Sequence, residues 1–279
     1  MYIYRNRHVG LSLRHDREEP HEFTRFNLHT HATAEIYYFV SGKGVFHVEG
    51  SSYVLQPGDI LLMRPAEAHY VEQDPTLTYE RICLNFDPAI LEPLDPEHTL
   101  MRPYYDREAG SRNLYRTANT PDAICRTYLD GILNAPEDRL KAVANLILLL
   151  RQLGLMFARD ESDSEPDTLE YRIVRYINDN LDKELSLQDL CDFFFISRAQ
   201  LCRRFKKVTG TSVGKYISAK RLLKAQQLIC QGKKPTDIFA ECGYQDYSTF
   251  YRAYQQYFGH SPREAQRLRP GDDDRVEIG

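Results

Sequence analysis

From residue 23 to residue 88, apolar and polar residues alternate in short runs punctuated by Gly and Pro. EIYYFV (35–40), GVFHVEG (44–50), SYVLQPGDILLM (52–63) and YERICLNF (79–86) read as strands, because a period of two puts one face of each into a core. SGKG (41–44) and EGSS (49–52) between them have hairpin-turn chemistry. Short strands at this spacing predict an all-β sandwich or barrel. After Pro96 the pattern loosens, and from Pro121 it becomes helical. PDAICRTYLDGILN (121–134) places Ile124, Tyr128, Leu129 and Ile132 on one face. In PEDRLKAVANLILLLRQLGLMFARD (136–160), Pro136 suits the first helical position and Glu137 and Asp138 the first turn. This second helix is apolar nearly all round, so it must bury itself against the β-domain, a partner chain, or both.

ESDSEPD (161–167) is acidic and free of apolar residues, as an interdomain linker would be. From Thr168 to about Arg269 the pattern is helical, and GDDDRVEIG (271–279) reads as a disordered tail. Within this helical stretch a single unit occurs twice. LSLQDLCDFF (185–194), the turn FIS (195–197) and RAQLCRRFKKVTG (198–210), with Ser197 as N-cap and Gly210 as C-cap, form the first copy. KPTDIFAECG (234–243), YQDYS (244–248) and TFYRAYQQYFG (249–259) form the second, and SVGKYISAKRLLKAQQLICQG (212–232) joins them as one long helix. Helix, tight turn and second helix are what a helix-turn-helix requires. In RAQLCRRFKKV, Leu201, Phe205 and Val208 face a small core, which leaves Arg198, Ala199, Cys202, Arg203 and Lys206 outside. Short side chains with an Arg near the helix start suit the major groove, where Arg pairs with guanine. Arg204, Lys206, Lys207, Lys220, Arg221 and Lys224 suit phosphate contacts. In the second copy Tyr247, Ser248, Tyr251 and Arg252 point outward, but Gln255 and Gln256 stand where basic residues would strengthen a phosphate grip.

Charge separates the two halves of the chain. The 279 residues carry a net −4, but residues 1–166 hold 17 Lys and Arg against 25 Asp and Glu, a net −8. Residues 167–271 hold 18 against 11, a net +7, and residues 272–279 hold 1 against 4. The basic half is the one suited to a polyanion. Six cysteines with no CxxC or zinc spacing read as reduced core residues of a cytoplasmic protein. The N-terminus lacks an apolar signal region, and the apolar stretch Leu146–Leu155 is too short to span a bilayer, so no membrane partner is expected. There is no Gly-rich phosphate loop, no G-x-S-x-G and no paired-carboxylate spacing.

AECGYQDYSTFYRAYQQYFGHSP (240–262) resembles the signature of the AraC/XylS transcription regulators, and SRAQLCRRFKKVTGTSVGKYISAKRLLKAQQLI upstream matches the same family. The resemblance covers 168–268 and implies that the two second helices enter successive major-groove segments of double-stranded promoter DNA. It assigns base reading to Ala199, Gln200, Cys202 and Arg203, then to Tyr247, Ser248 and Arg252. Tyr244 and the pair Gln255 and Gln256 depart from the usual Phe and lysines. HTHATAE (29–35) with Gly42, followed by PGDILLMRPAEAH (57–69), resembles the paired motifs of the cupin β-barrel, with Arg64 and Ala66 where Pro and Gly are usual. His29, His31, Glu35 and His69 then occupy positions that ligate a metal in cupin enzymes. Three imidazoles and a carboxylate are a competent donor set. Alternatively His31, Glu35, Tyr37, Arg64 and His69 line a pocket in the barrel mouth for a hydroxyl-rich effector such as a sugar, with no cofactor.

The fold expected is α+β in two domains. An arm and cupin-like barrel (1–95) is followed by a connector and helical dimerisation segment (96–160) and the linker. A DNA-binding domain (168–270) then carries helix-turn-helix units at 187–209 and 235–258. The function expected is a ligand-responsive activator of a carbohydrate or other small-molecule catabolic operon, homodimeric and acting with RNA polymerase. The rival is a cupin metalloenzyme, an oxygenase or isomerase, with an accessory DNA-binding domain.

Overall fold

The computed structural model describes residues 2–8, 10–21, 28–118, 121–159, 168–265 and 276–277, so the expected linker at 161–167 lies outside the described residues. The N-terminal half contains β1 (Tyr2–His8), β2 (Leu11–Glu18), β3 (His29–Thr30), β4 (Ala34–Ser41), β5 (Gly44–Val48), β6 (Ser51–Val54), β7 (Asp59–Met63), β8 (His69–Gln73), β9 (Tyr79–Phe86) and β10 (Leu114–Arg116). With β11 (Val276–Glu277) they form a six-stranded sheet ordered β1-β2-β9-β4-β7-β10, facing a second sheet ordered β11-β3-β8-β5-β6. The short β11 (Val276–Glu277) pairs antiparallel with β3, so a piece of the tail expected to be disordered joins a sheet.

Alternation along β4, β7 and β9 divides the residues of the first sheet between two cores. Ile36, Tyr38, Ile60, Leu62, Ile82 and Leu84 face outward and are covered by helices. Tyr37, Phe39, Leu61, Met63 and Cys83 face inward and meet Phe46 and Val48 of the second sheet. The barrel interior at that level is therefore packed, with the Tyr37 and Tyr79 hydroxyls hydrogen-bonded to each other. Gly42 closes the β4–β5 hairpin at φ +117, where a Cβ would lie 2.9 Å from the Thr78 carbonyl oxygen.

The covering helices are α1 (Arg102–Tyr105), α2 (Ile124–Leu133) and α3 (Arg139–Arg159). On α2 Leu129 and Ile132 are buried as the periodicity predicts, whereas Ile124, expected on that face, is exposed. α3 starts later than expected, because the Asp138 carboxylate accepts from the Lys141 N–H at 2.9 Å and caps the helix instead of sitting in its first turn. By length and mean hydropathy its 21 residues could cross a membrane, which the sequence did not suggest. In the fold Leu146, Leu149, Leu150 and Leu153 are buried in the core beneath the first sheet. A stripe of Leu140, Leu148 and Leu155 remains 82%, 45% and 51% exposed.

The C-terminal half is helical: α4 (Leu169–Asp179), α5 (Leu187–Phe194), α6 (Arg198–Thr209), α7 (Val213–Cys230), α8 (Pro235–Ile238), α9 (Tyr247–Phe258) and α10 (Pro262–Ala265). α7 is shared by two small cores. Its first half packs with α4, α5 and α6 through Leu190, Leu201, Phe205 and Tyr216, and its second half with α8, α9 and α10 through Ile229, Phe250 and Tyr254. α8 is shorter than its sequence suggests, and α9 begins two residues early because Asp246 caps it, accepting from the Thr249 N–H at 2.8 Å. Gly243, at φ +79 between α8 and α9, passes so close to the turn after α4 and to Arg221 of α7 that a Cβ would lie 2.2 Å from the Leu181 carbonyl oxygen.

Candidate functional sites

Three features of the sequence deliver α6 to the surface. Ser197 and Gln200 form a capping box at its start. Gly210 ends it in the left-handed conformation at φ +72, and Leu201 and Phe205 anchor its inner face. Ala199, Gln200, Cys202, Arg203, Lys206 and Lys207 are all turned away from that core, and all six are exposed. Gln200 is partly committed, since its side-chain oxygen accepts from the Ser197 N–H at 3.1 Å. Arg204 is held by Glu170 at 2.8 Å. On α9, Ser248 and Arg252 are exposed. Tyr247 is half-buried, its ring 5.8 Å from that of Phe250 and 6.0 Å from that of Phe239.

Three cations read from sequence as phosphate contacts are engaged inside the protein. Arg221 donates to the Leu181 and Lys183 carbonyl oxygens at 2.8 and 2.6 Å. Lys224 donates to the Glu241 carbonyl oxygen at 2.9 Å. Both satisfy carbonyls that a chain turn leaves without intrahelical partners. Lys220 bonds the Glu49 carboxylate at 2.7 Å and the Ala66 carbonyl oxygen at 2.8 Å.

Glu49 was invisible as a functional residue in the sequence. It sits in the EGSS turn at φ +45, buried, on the face of the barrel that meets the helical domain. Its carboxylate also accepts from the Tyr216 hydroxyl, from Asn178 Nδ2 at 2.9 Å and from the Ala68 N–H at 2.6 Å. Beside it Tyr70 donates to the Lys207 carbonyl oxygen at 3.0 Å, and Leu28, Ala68 and Tyr70 join the core of the first helix-turn-helix unit. One buried carboxylate thus ties the barrel to α4 and α7.

At the barrel mouth His29, His31, Glu35 and His69 converge, with their ligand atoms within 4.8 Å of one another. β3, β4 and β8 bring them together, and His29 is the register partner of His69. Glu35 Oε2 is 2.6 Å from His31 Nε2 and 3.3 Å from His69 Nε2. Burial alone would raise the Glu35 carboxyl, but these imidazoles outweigh it and hold it well below the usual carboxylate range. His69 Nδ1 donates to the Glu67 carbonyl oxygen at 2.8 Å, which aims Nε2 at the cluster. That imidazole-to-carbonyl bond is the support a ligating histidine uses, and the four donors could hold a divalent transition metal.

The loop carrying His69 is pinned by a buried ion pair that the sequence did not flag. Arg107 meets Glu67 through two bonds of 2.8 Å, and Glu67 also accepts from the Gly110 and Arg64 N–H groups. Burial would raise the Glu67 carboxyl, but the Arg107 guanidinium brings it down to about 2. Ala66, standing where the motif usually has Gly, keeps φ +64. Of the expected pocket residues, the structure brings His31, Glu35 and His69 together. Tyr37 lies in the packed interior, and Arg64 turns toward the Arg107 carbonyl oxygen at 3.3 Å.

Comparison with known proteins gives two family matches. The AraC-like ligand binding domain matches residues 9–150, and a helix-turn-helix domain matches residues 190–268. The HTH-type transcriptional activator RhaS of Citrobacter koseri is 25% identical over 253 residues, 88% of each chain. The Msm operon regulatory protein of Streptococcus mutans is 24% identical over 236 residues, 83% of each chain. The crystal structure of ToxT from Vibrio cholerae O395 aligns over 93% of this chain and 98% of its own, at 12% identity and a TM-score of 0.40.

Proposed function

The chain belongs to the AraC family of transcriptional regulators, an AraC-like ligand-binding domain joined to a helix-turn-helix domain, and from that premise we propose that it activates a carbohydrate or other small-molecule catabolic operon in response to an effector. Membership of the family makes it a DNA-binding regulator and not a cupin metalloenzyme. One observation carries the proposal. α6 buries Leu201 and Phe205 while turning Ala199, Cys202, Arg203, Lys206 and Lys207 outward, a small-residue, basic face of the kind that enters a major groove.

In this reading Ala199, Gln200, Cys202 and Arg203 of α6, then Tyr247, Ser248 and Arg252 of α9, face base edges. Lys206 and Lys207, with Arg204 once it leaves Glu170, take phosphates. Arg221 and Lys224 are withdrawn from that role, because the carbonyls they satisfy would be left bare. Lys220 reaches DNA only when Glu49 releases it. His31, Glu35 and His69 give the barrel mouth the polar groups a hydroxyl-rich effector needs. The exposed Leu140, Leu148 and Leu155 stripe supports a homodimer built on α3. The protein then acts in the cytoplasm, at a promoter beside RNA polymerase.

The direct test is binding of the full chain to the duplex upstream of the genes next to its own, measured by fluorescence anisotropy at several salt concentrations. Arg203→Ala is expected to cost about 1–3 kcal/mol on the preferred site and to relax preference at one base pair. Lys206→Ala should weaken all sequences alike. If Arg203→Ala changes neither affinity nor preference, α6 does not read bases.

A further inference from the structure

β3 is two residues long, His29–Thr30, and three parts of the molecule meet on it. His29 is the register partner of His69 and belongs to the imidazole cluster. Leu28, just before it, is buried in the core of the first helix-turn-helix unit. Thr30 is fully buried, and the His31 carbonyl oxygen after it accepts from the Ala66 N–H at 2.8 Å. β8 lies on one side of β3. The other side is the sheet edge where β11 sits, with Val276 opposite Thr30 and Glu277 opposite His29. Without β11 that edge would present backbone N–H and C=O groups to any extended segment.

The sequence of the tail suits that seat. After the charged run Asp272, Asp273, Asp274 and Arg275 come Val276, Glu277 and Ile278, a short alternation with the period of a strand. The tail departs from α10, whose Ala265 is buried in the core of the second helix-turn-helix unit. Ten residues separate Ala265 from Val276, a length that spans at most about 40 Å. We infer that β11 is a latch: by adding a strand to β3 it fastens the second helix-turn-helix unit to the barrel. The Lys220–Glu49 bond fastens α7 to the same barrel from the other side of the DNA-binding domain. Two residues of pairing hold little by themselves. A short tether, however, keeps a released β11 at an effective concentration on the order of millimolar. The latched arrangement is the one in which Glu49 holds Lys220 and Tyr70 holds the Lys207 carbonyl oxygen. Duplex DNA that takes up Lys220, as proposed above, then works against the latch, and releasing the latch favours DNA.

The test compares the native chain with the double variant Val276→Pro, Glu277→Pro and with a chain ending at Gly271. It reads amide hydrogen exchange over residues 28–32 and affinity for duplex DNA. Whichever of positions 276 and 277 turns its N–H toward β3, proline removes it, while Asp272, Asp273 and Asp274 keep the acidic run. Exchange over 28–32 should be severalfold faster in both variants. A synthetic peptide of residues 272–279, added in excess, should restore protection to the shortened chain. Duplex affinity should rise about fivefold or more in both. Unchanged exchange in the double variant means that β11 does not hold β3 and overturns the latch. Faster exchange with unchanged duplex affinity overturns it as well, since the pairing then fastens nothing that DNA must move. A gain in affinity confined to the shortened chain assigns the effect to the acidic charges and also overturns it. Should the native chain bind no duplex, the DNA-binding reading falls, and exchange over 28–32 still decides whether β11 holds β3.

Discussion

Glu67 and Arg107 are buried together, and the bonds they make hold the loop that delivers His69. Removing one member leaves the other as an uncompensated buried charge, which typically costs about 3–5 kcal/mol. Glu67→Gln should therefore lower stability by about that amount in denaturant unfolding, with a loss of His-cluster geometry as a consequence. The same pair sets a pH dependence. The folded Glu67 carboxyl is depressed to about 2 from an ordinary value of 4.5. Its stabilisation is thus fully present above 4.5 and is lost as pH falls toward 2. Unfolding midpoints followed from about pH 5 down to about pH 2.5 should fall more steeply in the native chain than in Glu67→Gln. A parallel decline would mean that Glu67 carries no such linkage. None of this was legible in the sequence, because Glu67 and Arg107 are forty positions apart and each reads there as an ordinary surface charge. The histidines were legible, since H-x-H-x3-E puts three donors on one short stretch of chain that runs from β3 of one sheet into β4 of the other.

Elements were legible or hidden for a different reason. β4, β5 and β9 fall where period-two alternation places them. β1 and β2 do not announce themselves, because YIYRNRH and LSLRHDRE interleave their apolar residues with Arg, His and Asp. A segment that reads as an arm is instead a hairpin extending the first sheet beside β9. The long α7 is recognisable as a connector, but its cations mislead. Helical periodicity shows which side of α7 is polar, not that the carbonyl ends of neighbouring turns will claim Arg221 and Lys224. If Lys220 takes a DNA phosphate as proposed, its role is switchable, since Glu49 already holds the same ammonium group. Glu49→Gln should weaken that tie and raise affinity for duplex DNA by about 1–2 kcal/mol, the scale of one charge-assisted bond. An unchanged affinity would mean that the domains separate without cost. For α3, Leu148→Glu should convert a dimer to monomer in sedimentation velocity while leaving the fold intact, because Leu148 is already 45% exposed.

Across the whole molecule the charge split of −8 and +7 coincides with a division of labour. The acidic half holds the histidine cluster and supplies the Glu49 carboxylate. The basic half holds the two helix-turn-helix units, and its outward cations concentrate on α6. Arg252 is exposed on α9, where Gln255 and Gln256 follow instead of Lys. The first unit should accordingly carry more of the phosphate contact than the second. The two-domain order was legible because the alternation changes period and the helix-turn-helix unit is duplicated. The pairing of β11 with β3 was not, because Thr30 and Val276 stand 246 positions apart and each strand is only two residues long. Whether α6 and its lysines bind duplex DNA is tested most directly by the salt dependence of full-chain binding to the promoter duplex, native against Lys206→Ala. A log–log plot of affinity against salt should fall linearly, with a slope shallower by about one in the variant. An affinity insensitive to salt, or identical slopes for the two proteins, would contradict a DNA-reading α6.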